Sequence, residues 1–189
     1  MIDAANITNY NLTDFELEER IIFWVLAAGK NGTRAAECTN NMVSFWQSFG
    51  MTLPPFDAIM HYTTEQLADF LAANKTGCHN IKARTLSQLA RAGLNLKTCT
   101  SEDLESIYGI GMKTARCFLI HSRENAPYAG LDTHMLKHLK LLGYEVPKNT
   151  PSNKKLYLTL EKIVLTLAQE AGKTPADYDL NIWNKFKVV

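Results

Sequence analysis

The stretch IYGIGMKTARCFL, residues 107–119, sets a lysine and a threonine directly behind two glycines. Lys113 can do two kinds of chemistry: as an ammonium it holds an anion, and as a neutral amine it attacks an electrophilic carbon. Gly109 and Gly111 flank Ile110, and glycine permits a positive φ and a close approach of backbone to a ligand. The amides of the turn, with those of the first turn of the next helix, would then point outward as an anion site. The same G-x-G also makes a tight αα-hairpin that binds nothing. On these residues alone both readings stand.

The elements that must position this turn are helical throughout. TDFELEERIIFWVLAAG opens with Thr13 and Glu16 spaced as a capping box and continues with apolar residues at Phe15, Ile21, Ile22, Trp24, Val25 and Leu26. Thr63 with Gln66 and Thr100 with Asp103 repeat the start signal, and Pro175 stands at a first helical position. Further helices are predicted over 33–48, 79–92, 112–123, 133–142 and 151–171. No alternating apolar and polar run reaches strand length, and GYEVP and FKVV are too short to build a sheet. The expected fold is all-α. It has two helical lobes: residues 1–29 with 126–189, and residues 30–125, which contain the helix, turn and helix of 100–123.

With 189 residues, 46% of them hydrophobic, the chain can bury a real core. No apolar run approaches the ~20 residues of a membrane span, and the N-terminus lacks the basic start and apolar stretch of a secretory signal. Cys38, Cys78, Cys99 and Cys117 form no C-x-x-C pair, which argues against a zinc knuckle and a disulfide framework. The expectation is a cytoplasmic protein with reduced thiols, in which the sequons at Asn6, Asn11, Asn31 and Asn74 are chance matches. The net charge of +1 is unevenly spread: residues 75–140 hold ten Lys or Arg against five Asp or Glu, and the remainder ten against fourteen. A basic middle section suits a phosphate backbone, and it also suits a solvated helix face.

The residues beyond the turn, at a fixed distance from it, point further. LESIYGIGMKTARCFLIHSRENAPYAGLDTHMLKHLKLLGY resembles the helix-hairpin-helix superfamily of DNA base-excision glycosylases, which includes endonuclease III and the 8-oxoguanine DNA glycosylases. The hairpin runs from Ile107 to Ala115, the loop carries Pro127 and Gly130, and Asp132-Thr133-His134 supplies the D-x-H step, 19 residues from Lys113 to Asp132. ERIIFWVLAAGKNGTRAAECTNNM and HNIKARTLSQLARAG are similar to the family's N-terminal helix and to the segment before the hairpin. No cysteine follows Cys117, so the iron-sulfur loop of endonuclease III is absent. The ending PADYDLNIWNKFKVV is similar to the compact, cluster-free 8-oxoguanine glycosylase/lyases.

The resemblance implies that Lys113 displaces a base at the sugar's anomeric carbon and holds the opened sugar as a Schiff base. An exposed lysine is neutral in only about a thousandth of molecules near pH 7.4, a handicap of roughly 4 kcal/mol. A helix N-terminus and desolvation by Phe118 or Ile110 oppose that handicap, and an adjacent Asp132 adds to it. Asp132 is expected to stabilise charge on the sugar, position the nucleophile or move a proton, or to cap the helix after it. Gly109, Gly111, Met112, Thr114, Arg116, His134, Lys137, Lys140, Lys30 and Asn31 are the candidate contacts to double-stranded DNA. Where the family places a glutamine or asparagine wedge stands Gly29, with Lys30 or Asn31 as substitutes. Trp24, Phe23, Trp46, Phe118, Trp183, Phe186 and Lys187 are candidates for the base pocket.

The carbonyls of Tyr108 and Ile110 are candidates to hold a potassium or sodium ion; no other cofactor is expected. The expected protein is a monomer that excises 8-oxoguanine and nicks the strand in the cytoplasmic nucleoid. A non-catalytic DNA-binding module, or an enzyme for modified bases of foreign DNA, stands beside that expectation.

Overall fold

Thr13, Thr63 and Thr100 each close a capping box with Glu16, Gln66 and Asp103, so three helices begin where their start signals lie. The computed structural model describes residues 1–48 and 53–186, and among them it is helical with no strand. A 3-10 turn at Ala4–Asn6 precedes α1 (Asp14–Ala27), α2 (Gly32–Ser48), α3 (Pro55–Met60), α4 (Thr64–Ala73), α5 (His79–Arg91), α6 (Ser101–Glu105), α7 (Met112–Ser122), α8 (Thr133–Leu141), α9 (Lys154–Glu170) and α10 (Pro175–Phe186). No helix among the described residues is long and apolar enough to cross a membrane.

The second half of α1, residues 21–27, is buried on every side, as expected of a helix apolar all round. It packs on α2, α5 and α7. Residues from Ile2 to Ala126, with Ala176, form one hydrophobic cluster, and residues from Ala129 to Ile182 form a second. The short helix α3 has no start signal of its own beyond Pro55, and nothing nearby in the sequence warns of it. Its Phe56 N–H is capped from 38 residues away by the Glu18 carboxylate at 2.8 Å. Helix α9 starts later than expected because Asn153 is its N-cap, accepting from Leu156 N.

Two residues of the basic middle section are not on the surface at all. Lys82 is 4% exposed and donates to Leu26 O at 2.7 Å and Thr76 O at 3.0 Å, so it binds the negative C-terminal end of α1. Arg116, expected on the DNA, is 2% exposed. Its guanidinium bonds Glu105 of α6 and, through Nε at 2.9 Å, Glu161 of α9, and stacking on Tyr157 at 4.9 Å completes its surroundings. The physical reason is position: four residues into α7, Arg116 faces the seam between the two clusters. Lys97 is tied to Asp14 at 2.9 Å.

The Arg116–Glu161 contact also fixes the loop before α8. The same Glu161 Oε1 accepts from Ala129 N at 2.9 Å, and the Tyr157 hydroxyl donates to Ala129 O at 3.0 Å and accepts from Leu131 N at 3.2 Å. Burial pulls the Arg116 guanidinium down, but its Glu105 bond and the Glu161 charge hold it above its ordinary value. For Glu161 burial wins, and its carboxyl lies above its ordinary range although Ala129 N–H and Arg116 pull it down. The pair thus adds little net stability while fixing geometry. Arg116→Met should therefore cost about 3–5 kcal/mol, because it strands a buried carboxylate, and adding Glu161→Gln should recover much of the loss; urea denaturation of the two variants checks this.

Candidate active site

Helix α7 begins at Gly111, whose φ of −100° and ψ of 174° make it an extended N-cap with no side chain to offer. The first-turn amides of Met112, Lys113 and Thr114 therefore receive no acceptor from their N-cap side chain. Gly109 holds the turn at φ +83°, and a Cβ there would collide with Thr85 Oγ1, so only glycine fits against α5. Tyr108 N–H donates to Gln88 at 3.1 Å, and Arg84 lies 4.1 Å over the Tyr108 ring. The hairpin is thereby fastened to α5 from outside.

Lys113 is the second residue of α7 and opens onto a cavity of about 900 Å³. The loop brings Asp132 to the same cavity because Gly130 lies directly on Cys117, one turn along α7 from Lys113, where any Cβ would overlap the sulfur. Asp132 is the N-cap of α8 and accepts from Met135 N at 2.7 Å, so its capping role and its place in the cavity coexist. Trp24 floors the site: Lys113 Nζ lies 5.1 Å from its ring centroid, and His121 stacks on it at 5.3 Å and 15°.

The electrostatics go against a resting neutral amine. Burial pushes Lys113 down, but Cys117, Asp132 and Asp179 push it up and prevail, so it lies above its ordinary value. Burial holds the Cys117 thiol far above the usual thiol range and therefore neutral, which leaves the two aspartates as the charges that act near neutral pH. Asp132 is itself raised, by burial and then by Asp179, against the pull of Lys113, Met135 N–H and His134. A carboxylate raised in this way is better matched to take a proton from the amine.

Most of the expected residues meet here. Gly109, Gly111, Thr114, Lys30, Asn31, His134, Phe23, Trp24 and Trp183 all line the cavity with Lys113 and Asp132. Gly29 ends α1 at φ +67°, and the rim continues through Lys30 to Asn31. His134 stacks on Phe186 at 6.4 Å. Phe118 is a correction: it is fully buried on the opposite face of α7, in the first cluster. Met112 packs against the second cluster instead of lining the cavity, Trp46 is buried in the first, and the exposed Lys137 sits over Phe186 at 4.6 Å. Lys187 lies outside the described residues. Asp179, His121 and Cys117 went unnoticed in the sequence; the one available signal was that Asp179 stands four residues before Trp183 on a helix otherwise read for its aromatics.

No protein-family model matches the chain. A stretch of 77 residues, 40% of its length, is 39% identical to an 8-oxoguanine DNA glycosylase/AP lyase of Thermotoga sp. (strain RQ2), and the match spans 36% of that relative. The crystal structure of the 8-oxoguanine DNA glycosylase of Thermotoga maritima superposes with a TM-score of 0.73 at 23% identity, over 93% of this chain and 81% of that one. The chain has the fold of the 8-oxoguanine DNA glycosylases. A second glycosylase of this fold, the 8-oxoguanine glycosylase/lyase of Methanocaldococcus jannaschii in complex with a 15mer DNA containing 8-oxoguanine, gives a TM-score of 0.69 at 24% identity over 95% of this chain and 85% of its own. The resemblance to the helix-hairpin-helix glycosylases thus holds in sequence and in all-helical architecture.

In this glycosylase fold Gly130 lets the loop before Asp132 lie directly on Cys117 of α7. Gly130→Ala should cost about 1–3 kcal/mol through overpacking, and Cys117→Ala in the same chain should return most of it. Thermal melts of the two single variants and the double variant measure that coupling.

Proposed function

We propose that the protein is a DNA glycosylase with AP lyase activity, acting on 8-oxoguanine in double-stranded DNA. The observation that carries the reading is a half-buried lysine at the N-terminal turn of α7, over an indole and beside a carboxylate, in a cavity large enough for an extruded nucleotide. The names of the sequence relatives support the choice of activity and base.

The target must leave the base stack before its anomeric carbon can be reached. Lys113 gives a proton to Asp132, and the freed lone pair attacks C1′ as the bond from C1′ to the base nitrogen breaks with its electrons going to the base, which is protonated as it departs. The C1′–O4′ bond then breaks with its electrons going to O4′, which takes a proton given up by the new ammonium, and the C1′–N bond becomes a protonated Schiff base. Loss of a C2′ proton then forms the C2′–C3′ double bond and expels the 3′ phosphate with the C3′–O electrons. Asp132 hands that proton on to the departing base, and its carboxylate, charged again, then faces the positive charge of the sugar. Trp24 and Trp183 line the cavity that the base would enter. The amides of 112–114 face a phosphate, to which Lys30 or Asn31 at the rim adds.

The hairpin fits the monovalent cation that the resemblance implies. The carbonyls of Ile107 and Gly111 are taken by Ile110 N and Ala115 N, while among the described residues no hydrogen bond takes those of Tyr108 or Ile110. Those two would hold the ion, which would supply a positive charge against a phosphate.

Borohydride trapping on a panel of duplexes, one abasic and the rest each with a single lesion or modified base, tests the reading. The wild-type chain should give an adduct, fastest with 8-oxoguanine among the base-bearing duplexes; Lys113→Gln should give none; and Asp132→Asn should slow trapping by about 10²–10⁴-fold. Binding with no adduct or base release in any variant would leave a DNA-binding module, and a faster adduct with an enzymatically modified base would move the substrate to foreign DNA.

A further inference from the structure

Lys113 and Asp132 leave a second carboxylate in the cavity without a task. Asp179 of α10 has a side chain 14% exposed, with Oδ2 3.2 Å from His121 Nε2. His121 is 2% exposed, and its Nδ1 lies 2.7 Å from Thr8 Oγ1. Asn9 N–H donates to His121 O at 3.0 Å, so the N-terminal segment, α7 and α10 all converge on one imidazole. With both ring nitrogens engaged and one face on Trp24, that ring has a fixed orientation and can keep an N–H on Asp179.

An asparagine could accept the same bond from His121. What aspartate adds is a charge, and it acts on both members of the catalytic pair. We propose that Asp179, held by His121 and Thr8, is a positioning residue for the proton shared by Lys113 and Asp132. A fixed negative charge beside both groups opposes loss of that proton to solvent. It favours the protonated form of donor and acceptor alike, and so leaves the transfer between them open. The proton that Lys113 surrenders therefore goes to Asp132 and stays in the site. The other titratable groups around the cavity are Cys117, which stays neutral, and His134 and Lys30, which are on the rim side. None of these places a negative charge on the pair.

The inference rests on the proposed lyase chemistry, and its test uses an abasic duplex so that contacts to a base play no part. Single-turnover borohydride trapping is followed across pH for the wild type, Asp179→Asn and Asp179→Glu, each profile normalised to its own plateau. Both groups are raised by the Asp179 charge, so removing it lowers both, and the limbs of the Asp179→Asn profile should move to lower pH. Asp179→Glu, which keeps the charge, should stay near the wild-type position. Asp179→Ser removes the same charge and replaces Asp179→Asn should that variant not fold. A lower plateau with unmoved limbs would make Asp179 a packing residue and overturn the inference. A wild-type protein that forms no adduct at all would instead overturn the lyase reading, and this inference with it.

Discussion

One buried carboxylate holds together the parts of this molecule that must meet. Glu161 of α9 accepts from Arg116 of α7 and from the backbone of Ala129, so a single oxygen ties the helix of Lys113 to the loop that delivers Asp132. Tyr157, one turn earlier on α9, takes the amide of Leu131 farther along that loop. Ion pairs buried this deeply return little net stability, because desolvation offsets their attraction. Their value here is angular: the loop cannot slide along α7 without leaving a charge unpaired in a dry seam.

That constraint explains why glycine and cysteine face each other at Gly130 and Cys117. With α9 drawing the loop down from one side, the backbone comes so close to α7 that a methyl group has no room. The site is then assembled from rigid pieces: a capped helix start for Asp132, an uncapped one for Lys113, and an indole packed by Phe23 at 4.9 Å and by His121. Preorganisation of this kind lets charges act on one another without rearrangement.

Local signals were enough to read most of the helices and the hairpin. Capping boxes are legible because their partners lie within four residues, and the G-x-G of the turn because it is a local pattern. The features that stayed hidden depend on distant partners. α3 is capped by a glutamate 38 residues upstream, and Asp179 meets His121 across 58 residues. Charge counts misled in the same way: Lys82 and Arg116 read as members of a basic face, yet each is spent inside, one on a helix end and the other between two glutamates. Periodicity reports which face of a helix is apolar, and it is silent on a cation whose counter-charge comes from another helix. Phe118 shows the limit from the other direction, since an aromatic residue on the same helix as Lys113 still belongs to the core.

The segment ahead of α1 belongs to the cavity as much as any helix does. Ile2 exchanges two hydrogen bonds with Asn40 of α2, Ala4 and Ile7 form part of the cavity wall, and Thr8 and Asn9 hold His121. Secondary structure would suggest trimming the chain to Thr13 to obtain a minimal domain. Such a cut would keep every α-helix, yet it would strip Ile2, Ile7 and Leu12 from the first hydrophobic cluster and one side from the cavity, so the α-helices alone do not mark the limits of the folded unit.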